Sequence, residues 1–126
     1  MTNEQLAVHA FHQTFGLTIN RAPTLPGRAD VILRRELISE ELDEFCCATS
    51  LTEVADALGD LLYVVYGAAV TYGIDLEPIF NEIHRSNMSK VWPDGSVKKN
   101  ELGKVLKPET YSPANLAAEI ERQLAL

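Results

Sequence analysis

Apolar residues recur along this chain at helical spacing. Between Asn3 and Phe15, the positions Leu6, Val8, Phe11 and Phe15 supply one apolar side of a helix. Thr2 precedes them with Gln5 three residues on, the spacing of a capping box. A second amphipathic run from about Ala29 to Ala48 carries Leu33, Leu37, Ile38, Leu42 and Phe45 as its buried stripe. Thr49 and Ser50 break it. The third run, from Leu51 to just before Gly73, is apolar around most of its circumference over LLYVVYGAAV, which predicts burial. Ser50 and Glu53 form a further capping box, and Gly73 suits the left-handed residue that ends a helix.

A fourth helix follows from Asp75 as N-cap, with Pro78 tolerated in its first turn, and is expected to continue to about Lys90. Ile79, Phe80 and Ile83 face inward on it. Ser112-Pro113 reads as an N-cap with proline at the first helical position, starting a last helix that runs to the C-terminus. Gly16 to Gly27, with Pro23 and Pro26, is a loop, and so is an irregular lysine-containing segment at about 92–111. Strand patterns and internal repeats are lacking. The expected fold is all-α: a four- to five-helix bundle in a single domain spanning residues 1–126.

Charge narrows the function classes. Eighteen acidic residues against 11 basic ones give a net charge of −7. That balance argues against nucleic-acid binding, which needs a basic footprint. No uninterrupted apolar stretch reaches the ~18 residues of a membrane span, because Asp60 and the glycines break the best one. The opening MTNEQLAVHAFHQ lacks the basic start and apolar core of a signal peptide. The expectation is a cytoplasmic protein with no membrane partner. Cys46 and Cys47 are neighbours that point in different directions on a helix, and read as reduced thiols. His9 and His12 stand i, i+3 without further His or Cys, which favours a helix-surface or pocket-wall role over a metal site.

The acidic residues are not scattered. Glu40, Glu41 and Glu44 fall on the second helix, and Glu53, Asp56 and Asp60 on the third, at spacings of three and four that share faces. Like charges so close repel, more strongly where water is excluded. A divalent cation compensates such a set. Asp60 lies inside the all-round apolar run, and a buried unpaired carboxylate costs several kcal/mol or is neutralised, so a partner is expected for it. Glu53 has two readings, helix cap and metal ligand.

These motifs carry a resemblance. EELDE at 40–44 is an EExxE motif, followed by EVAD at 53–56 and by Asp60 in GDLLYVVYG. With GIDLEPIFNEIHRSNMSK and GKVLKPETYSP, the pattern resembles the all-α nucleoside triphosphate pyrophosphohydrolases: MazG, dimeric dUTPases and phosphoribosyl-ATP pyrophosphohydrolase. It departs from them at Ala57, where one alignment of the second motif places a glutamate. The resemblance implies hydrolysis of a (deoxy)nucleoside triphosphate to the monophosphate and pyrophosphate, using two or more Mg²⁺ ions per site, with Mn²⁺ able to substitute. It implies Glu41, Glu44, Asp56 and Asp60 as ligands with Glu53 in reserve, and Glu40 as the base that activates water. Asn87 and Lys90 would reach phosphate oxygens, and Lys98, Lys104 and Lys107 would close over the triphosphate. Phe11 and His12 would hold the base, with dGTP-like substrates or dUTP among those expected. The apolar third helix further predicts a homo-oligomer, a dimer or tetramer. Two rival classes stand beside the enzyme: a catalytically silent nucleotide or metal binder of the same fold, and a helical module whose acidic faces meet a basic protein.

Overall fold

Five helices form in the computed structural model, which describes all of residues 1–126: α1 (Asn3–Phe15), α2 (Arg28–Cys47), α3 (Leu51–Tyr72), α4 (Leu76–Met88) and α5 (Leu116–Leu124). There is no strand, only an isolated antiparallel bridge between Lys99 and Val105. The chain divides into two compact units, Met1–Leu76 with Gln123–Leu126, and Glu77–Arg122.

In the first unit, α1 and α2 both pack against α3. The caps form where the sequence places them. Thr2 Oγ1 accepts from Gln5 N, and Ser50 Oγ accepts from Glu53 N at 3.1 Å. Gln5 does not complete the box, however. It is 1% exposed, its Nε2 donates to Ile74 O at 2.7 Å, and its Oε1 accepts from Leu76 N at 3.0 Å. Gln123 serves Asp75 in the same way, accepting from its N–H at 2.9 Å and donating to its carbonyl at 3.0 Å. Two glutamine amides thus satisfy the backbone of the turn that follows α3, where unpaired groups would be costly. The buried face of α1 is consequently Gln5, Val8 and His12. The apolar pattern pointed instead to Leu6, Val8, Phe11 and Phe15, of which only Val8 is buried.

The loop after α1 is strapped to the end of α3. Asn20 N donates to Val70 O at 3.2 Å, its Nδ2 to Thr71 O at 2.6 Å, and Thr24 N to Tyr72 O at 2.9 Å. Thr71 Oγ1 donates back to Thr18 O at 3.2 Å. These bonds occupy carbonyls that a helix C-terminus leaves open. Gly73 ends α3 at φ 70, its N–H turned to Ala69 O and Val70 O.

Burial along α3 rises toward its C-terminal half, where no residue from 64 to 72 is exposed. Ala57, Gly67, Ala69, Val70 and Thr71 are buried, whereas Leu58, Leu62 and Tyr63 are 48%, 52% and 40% exposed. Asp60 is exposed, against the expectation of burial, on the side of α3 that faces α2. Within the apolar run 61–70 only Leu62 and Tyr63 are exposed, so the chain leaves part of its apolar surface uncovered. The same holds for α2, where Leu33, Leu42 and Phe45 remain exposed and the one fully buried residue is Arg34. By length and composition alone α3 is apolar enough to cross a bilayer; in this fold it is the helix on which α1 and α2 pack.

In the second unit, α4 gives way at Ser89 and Lys90 to turns, two residues earlier than expected. Phe80 is 69% and Ile83 38% exposed, so neither is sealed inward. Ser112 does not cap the last helix. Its N–H donates to Ser89 Oγ at 2.8 Å and its hydroxyl accepts from Arg85, while Asn115 Oδ1 accepts from Ala118 N at 3.1 Å and starts α5 instead. Trp92 closes a tight turn through bonds from its N–H to Ser96 O and from Gly95 N to its own carbonyl, and Lys98 Nζ stands 4.0 Å over its ring.

Candidate active site

One helical turn separates Glu41 from Glu44 on α2, and Asp60 of α3 faces them. One carboxylate oxygen from each lies within 4.8 Å of the others. Glu41 sits deepest: its Oε2 is buried and has no hydrogen-bond partner. Burial raises the Glu41 pKa above the ordinary glutamate value, and repulsion from Glu44 and Asp60, a hydrogen bond to Glu44 and repulsion from Asp56 raise it further. An orphaned carboxylate oxygen among like charges fits a small hard cation, which takes oxygen ligands from few carboxylates and completes its shell with water and phosphate.

The remaining acidic residues are arranged around this group. Glu44 also lines a hollow of about 230 Å³ with Cys47, Glu53 and Asp56. The Glu53 carboxylate accepts from Ser50 Oγ at 3.1 Å and Thr49 Oγ1 at 3.4 Å, so it caps α3 and borders the hollow at once. Glu40 is exposed and stands outside the close set.

A second cavity, of about 310 Å³, opens where α1, α2 and α3 meet, walled by Phe11, His12, Leu33, Arg34, Tyr63 and Gly67 among others. Phe11 packs on Phe15 with centroids 4.4 Å apart and meets Tyr63 edge-on at 5.6 Å. His12 is 1% exposed, with Nδ1 3.0 Å from Thr18 O. A carbonyl only accepts, so Nδ1 carries hydrogen. Burial lowers the His12 pKa, and Arg34 and His9 add to this against the raising effect of the Thr18 bond and Asp30. The ring is therefore held neutral, with the Nε2 lone pair free. Arg34 is 5% exposed and its Nε is buried without a partner. Gly67 leaves these two groups their space: a Cβ there would lie 2.9 Å from Arg34 Nη1 and 3.4 Å from His12 Nε2.

Sequence reasoning included Phe11 and His12 but missed Arg34. In LRRELISEE an arginine looks like part of a solvated face, yet its spacing to Leu37, Ile38 and Glu41 puts it on the inward stripe. The other residues named from sequence belong to the second unit. Asn87 is exposed, Lys90 half-buried and Lys104 exposed, and Lys107 Nζ lies 4.9 Å over the Tyr111 ring.

The phosphoribosyl-ATP pyrophosphohydrolase family model matches residues 8–87, a span holding the carboxylate group and the cavity. Uncharacterized protein L479 of Acanthamoeba polyphaga mimivirus is 38% identical over 109 residues, covering 79% of this chain and 43% of that protein. The chain thus spans less than half the length of that curated relative. Among solved structures, a candidate NTP pyrophosphohydrolase from Exiguobacterium sp. 255-15 aligns over 98% of this chain and 95% of its own, at 23% identity and a TM-score of 0.49.

Proposed function

We propose that this chain, which belongs to the phosphoribosyl-ATP pyrophosphohydrolase family, is a Mg²⁺-dependent hydrolase that converts nucleoside triphosphates, deoxynucleotides foremost, to the monophosphate and pyrophosphate. The observation that carries this reading is the buried, partnerless Oε2 of Glu41 within the Glu41–Glu44–Asp60 group. Those three residues would hold the cation, with Asp56 and Glu53 extending the set through the hollow they share with Glu44. A divalent ion there neutralises phosphate charge and polarises the reacting phosphorus. Glu40, exposed at the edge of the set, takes the proton from the attacking water. Ala57 is 2% exposed; a glutamate there would point into the core, which supports the register in which Glu53, Asp56 and Asp60 supply the acidic positions of α3. The apolar cavity takes the base between Phe11, Tyr63 and His12.

Hydrolysis in ¹⁸O-water tests the bond cleaved. Label is expected in the nucleoside monophosphate, with unlabelled pyrophosphate as co-product and with Glu40→Gln slowing turnover about 10²–10⁴-fold, the range of general-base catalysis, at unchanged metal affinity. Nucleoside diphosphate with orthophosphate would refute the reaction. Nucleotide binding without pyrophosphate release would instead mark a silent regulator of the same fold.

The assembly is proposed to be a dimer or tetramer. Leu42 and Phe45 of α2 and Leu58 and Leu62 of α3 are exposed apolar pairs about one turn apart, surface that a second copy would cover. Sedimentation at micromolar concentration is expected to give twice or four times the 13.9 kDa chain. A stable monomer would overturn it.

A further inference from the structure

His12 is a titratable group sealed where three segments of the chain meet. Its ring is 1% exposed, and its Nδ1–H donates to Thr18 O at 3.0 Å. The same carbonyl accepts from Thr71 Oγ1 at 3.2 Å. One oxygen atom thus ties together α1, the loop after it and the end of α3. The bonds from Asn20 N to Val70 O and from Thr24 N to Tyr72 O continue that attachment along the loop.

The other ring nitrogen faces a cation. His12 Nε2 and Arg34 Nη1 both lie within 3.4 Å of the point that a Gly67 Cβ would take. Arg34 is 5% exposed, with its Nε buried and partnerless, so packing holds the guanidinium in place. Around the two groups, Val8, Phe11, Leu17 and Leu33 make the cavity wall apolar. The charged groups that act on the ring are Arg34 and Asp30 of α2 and His9 of α1 itself, and Asp30, the only acidic one, acts most weakly. From α3 come Gly67 and the phenol of Tyr63. A proton on Nε2 would therefore set a second cation beside Arg34, away from water and with no carboxylate in contact. Burial foremost, then Arg34 and His9, hold the His12 pKa below 6.5, against the Thr18 bond and Asp30, which raise it.

An opened form, with the ring in water, takes up its proton near the ordinary value of 6.5, whereas the closed form does so only at lower pH. Closure is therefore fully favoured above 6.5 and is lost progressively as pH falls toward the lowered value. We propose that His12 and Arg34 form an acid-released latch: near neutral pH α1 and the loop after it are closed on α3, and in mildly acidic solution protonation of His12 beside Arg34 releases them and opens the cavity. The latch works in the same way whichever reaction the carboxylate group serves.

Imidazole ¹⁵N–¹H spectra of the full chain, recorded across the histidine range, test the first half of this. His9 and His84 are the only other histidines and serve as internal references. His12 is expected to titrate below 6.5, with the hydrogen of its neutral form on Nδ1. Amide exchange reads the release itself. Protection factors at the Asn20 and Thr24 N–H groups are expected to fall below pH 6.5 by up to about tenfold per pH unit, the limit for one proton. Local amides are read in place of the melting temperature, because the raised Glu41 pKa acts on global stability with the opposite sign. Arg34→Met is expected to move the His12 titration upward and to weaken the acid response. His12→Gln, whose amide still offers an N–H to Thr18, is expected to hold the protection factors constant over the same range. A wild-type His12 that titrates at or above 6.5 overturns the latch. So do protection factors that ignore pH, or an acid response that survives unchanged in His12→Gln. Should either variant fail to fold, the wild-type titration and exchange still decide.

Discussion

Glu41→Gln is expected to lower turnover by at least about a hundredfold, the scale seen when one electrostatic group is removed from a reacting centre, while the melting temperature of the metal-free protein rises or stays the same. The two effects share one cause. Glu41 is held among Glu44, Asp60 and Asp56 with one oxygen cut off from solvent and partners, an arrangement that serves a cation and opposes folding when none is bound. Glutamine keeps the shape and removes the charge, as in other cases where function and stability pull apart. Asp60→Asn is expected to act in the same direction. The pH dependence has a definite sign. A carboxyl whose folded-state pKa is raised is protonated in the native chain after the unfolded chain has ionised, so stability is full below the ordinary glutamate value of 4.5 and falls as pH rises toward the raised value. The metal-free wild type is therefore expected to lose melting temperature across that window. Glu41→Gln should lose less, and millimolar Mg²⁺ should restore the wild type by binding the folded state. Melts with EDTA and with Mg²⁺ across this pH range are the measurement. A Glu41→Gln variant that melts far lower in EDTA would make Glu41 an architectural hydrogen-bonding residue.

Gly73→Ala is expected to cost about 4 kcal/mol. A left-handed alanine carries roughly 1–2 kcal/mol by itself. Its methyl would stand 2.2 Å from Ala22 O and 2.9 Å from Asn20 O, so backbone has to move. Moving that loop disturbs the bonds from Asn20 N, Asn20 Nδ2 and Thr24 N to the last carbonyls of α3, each worth about 1 kcal/mol. For a chain of this size the melting temperature should fall by roughly 15 °C. Gly16→Ala is the internal comparison. Gly16 has nearly the same φ, 66, with nothing within 4 Å of a Cβ, so only the conformational part applies. Equal losses in the two variants would mean that the loop yields freely and the strap adds nothing.

Local rules made much of this fold legible. The caps at Thr2 and Ser50 and the left-handed stop at Gly73 depend on residues within one turn of each other, and they form as the spacing dictates. Features set by distant neighbours were not legible in the same way. Ser112-Pro113 has the form of a helix start, but Ser112 is occupied by Ser89 and Arg85, more than 20 residues away, and Asn115 takes its place. Asp60 sits in an apolar run that reads as buried, yet it is exposed on the side of α3 that faces α2. Periodicity also ranks polar residues outward by default. Gln5, His12 and Arg34 escaped it because their polar atoms act on backbone carbonyls, on an amide or toward a cavity, and none of these partners appears in a hydropathy pattern.

Trp92 is the only tryptophan of the chain, and with Lys98 poised over its ring it belongs to the unit Glu77–Arg122. Indole emission therefore reports on that unit alone, whereas far-ultraviolet circular dichroism is dominated by α1, α2 and α3 of the other. Nature has placed an optical label on one half of a bipartite molecule. Unfolding followed by both signals separates a chain that melts in a single cooperative event, in which the curves superimpose, from one whose halves come apart in succession.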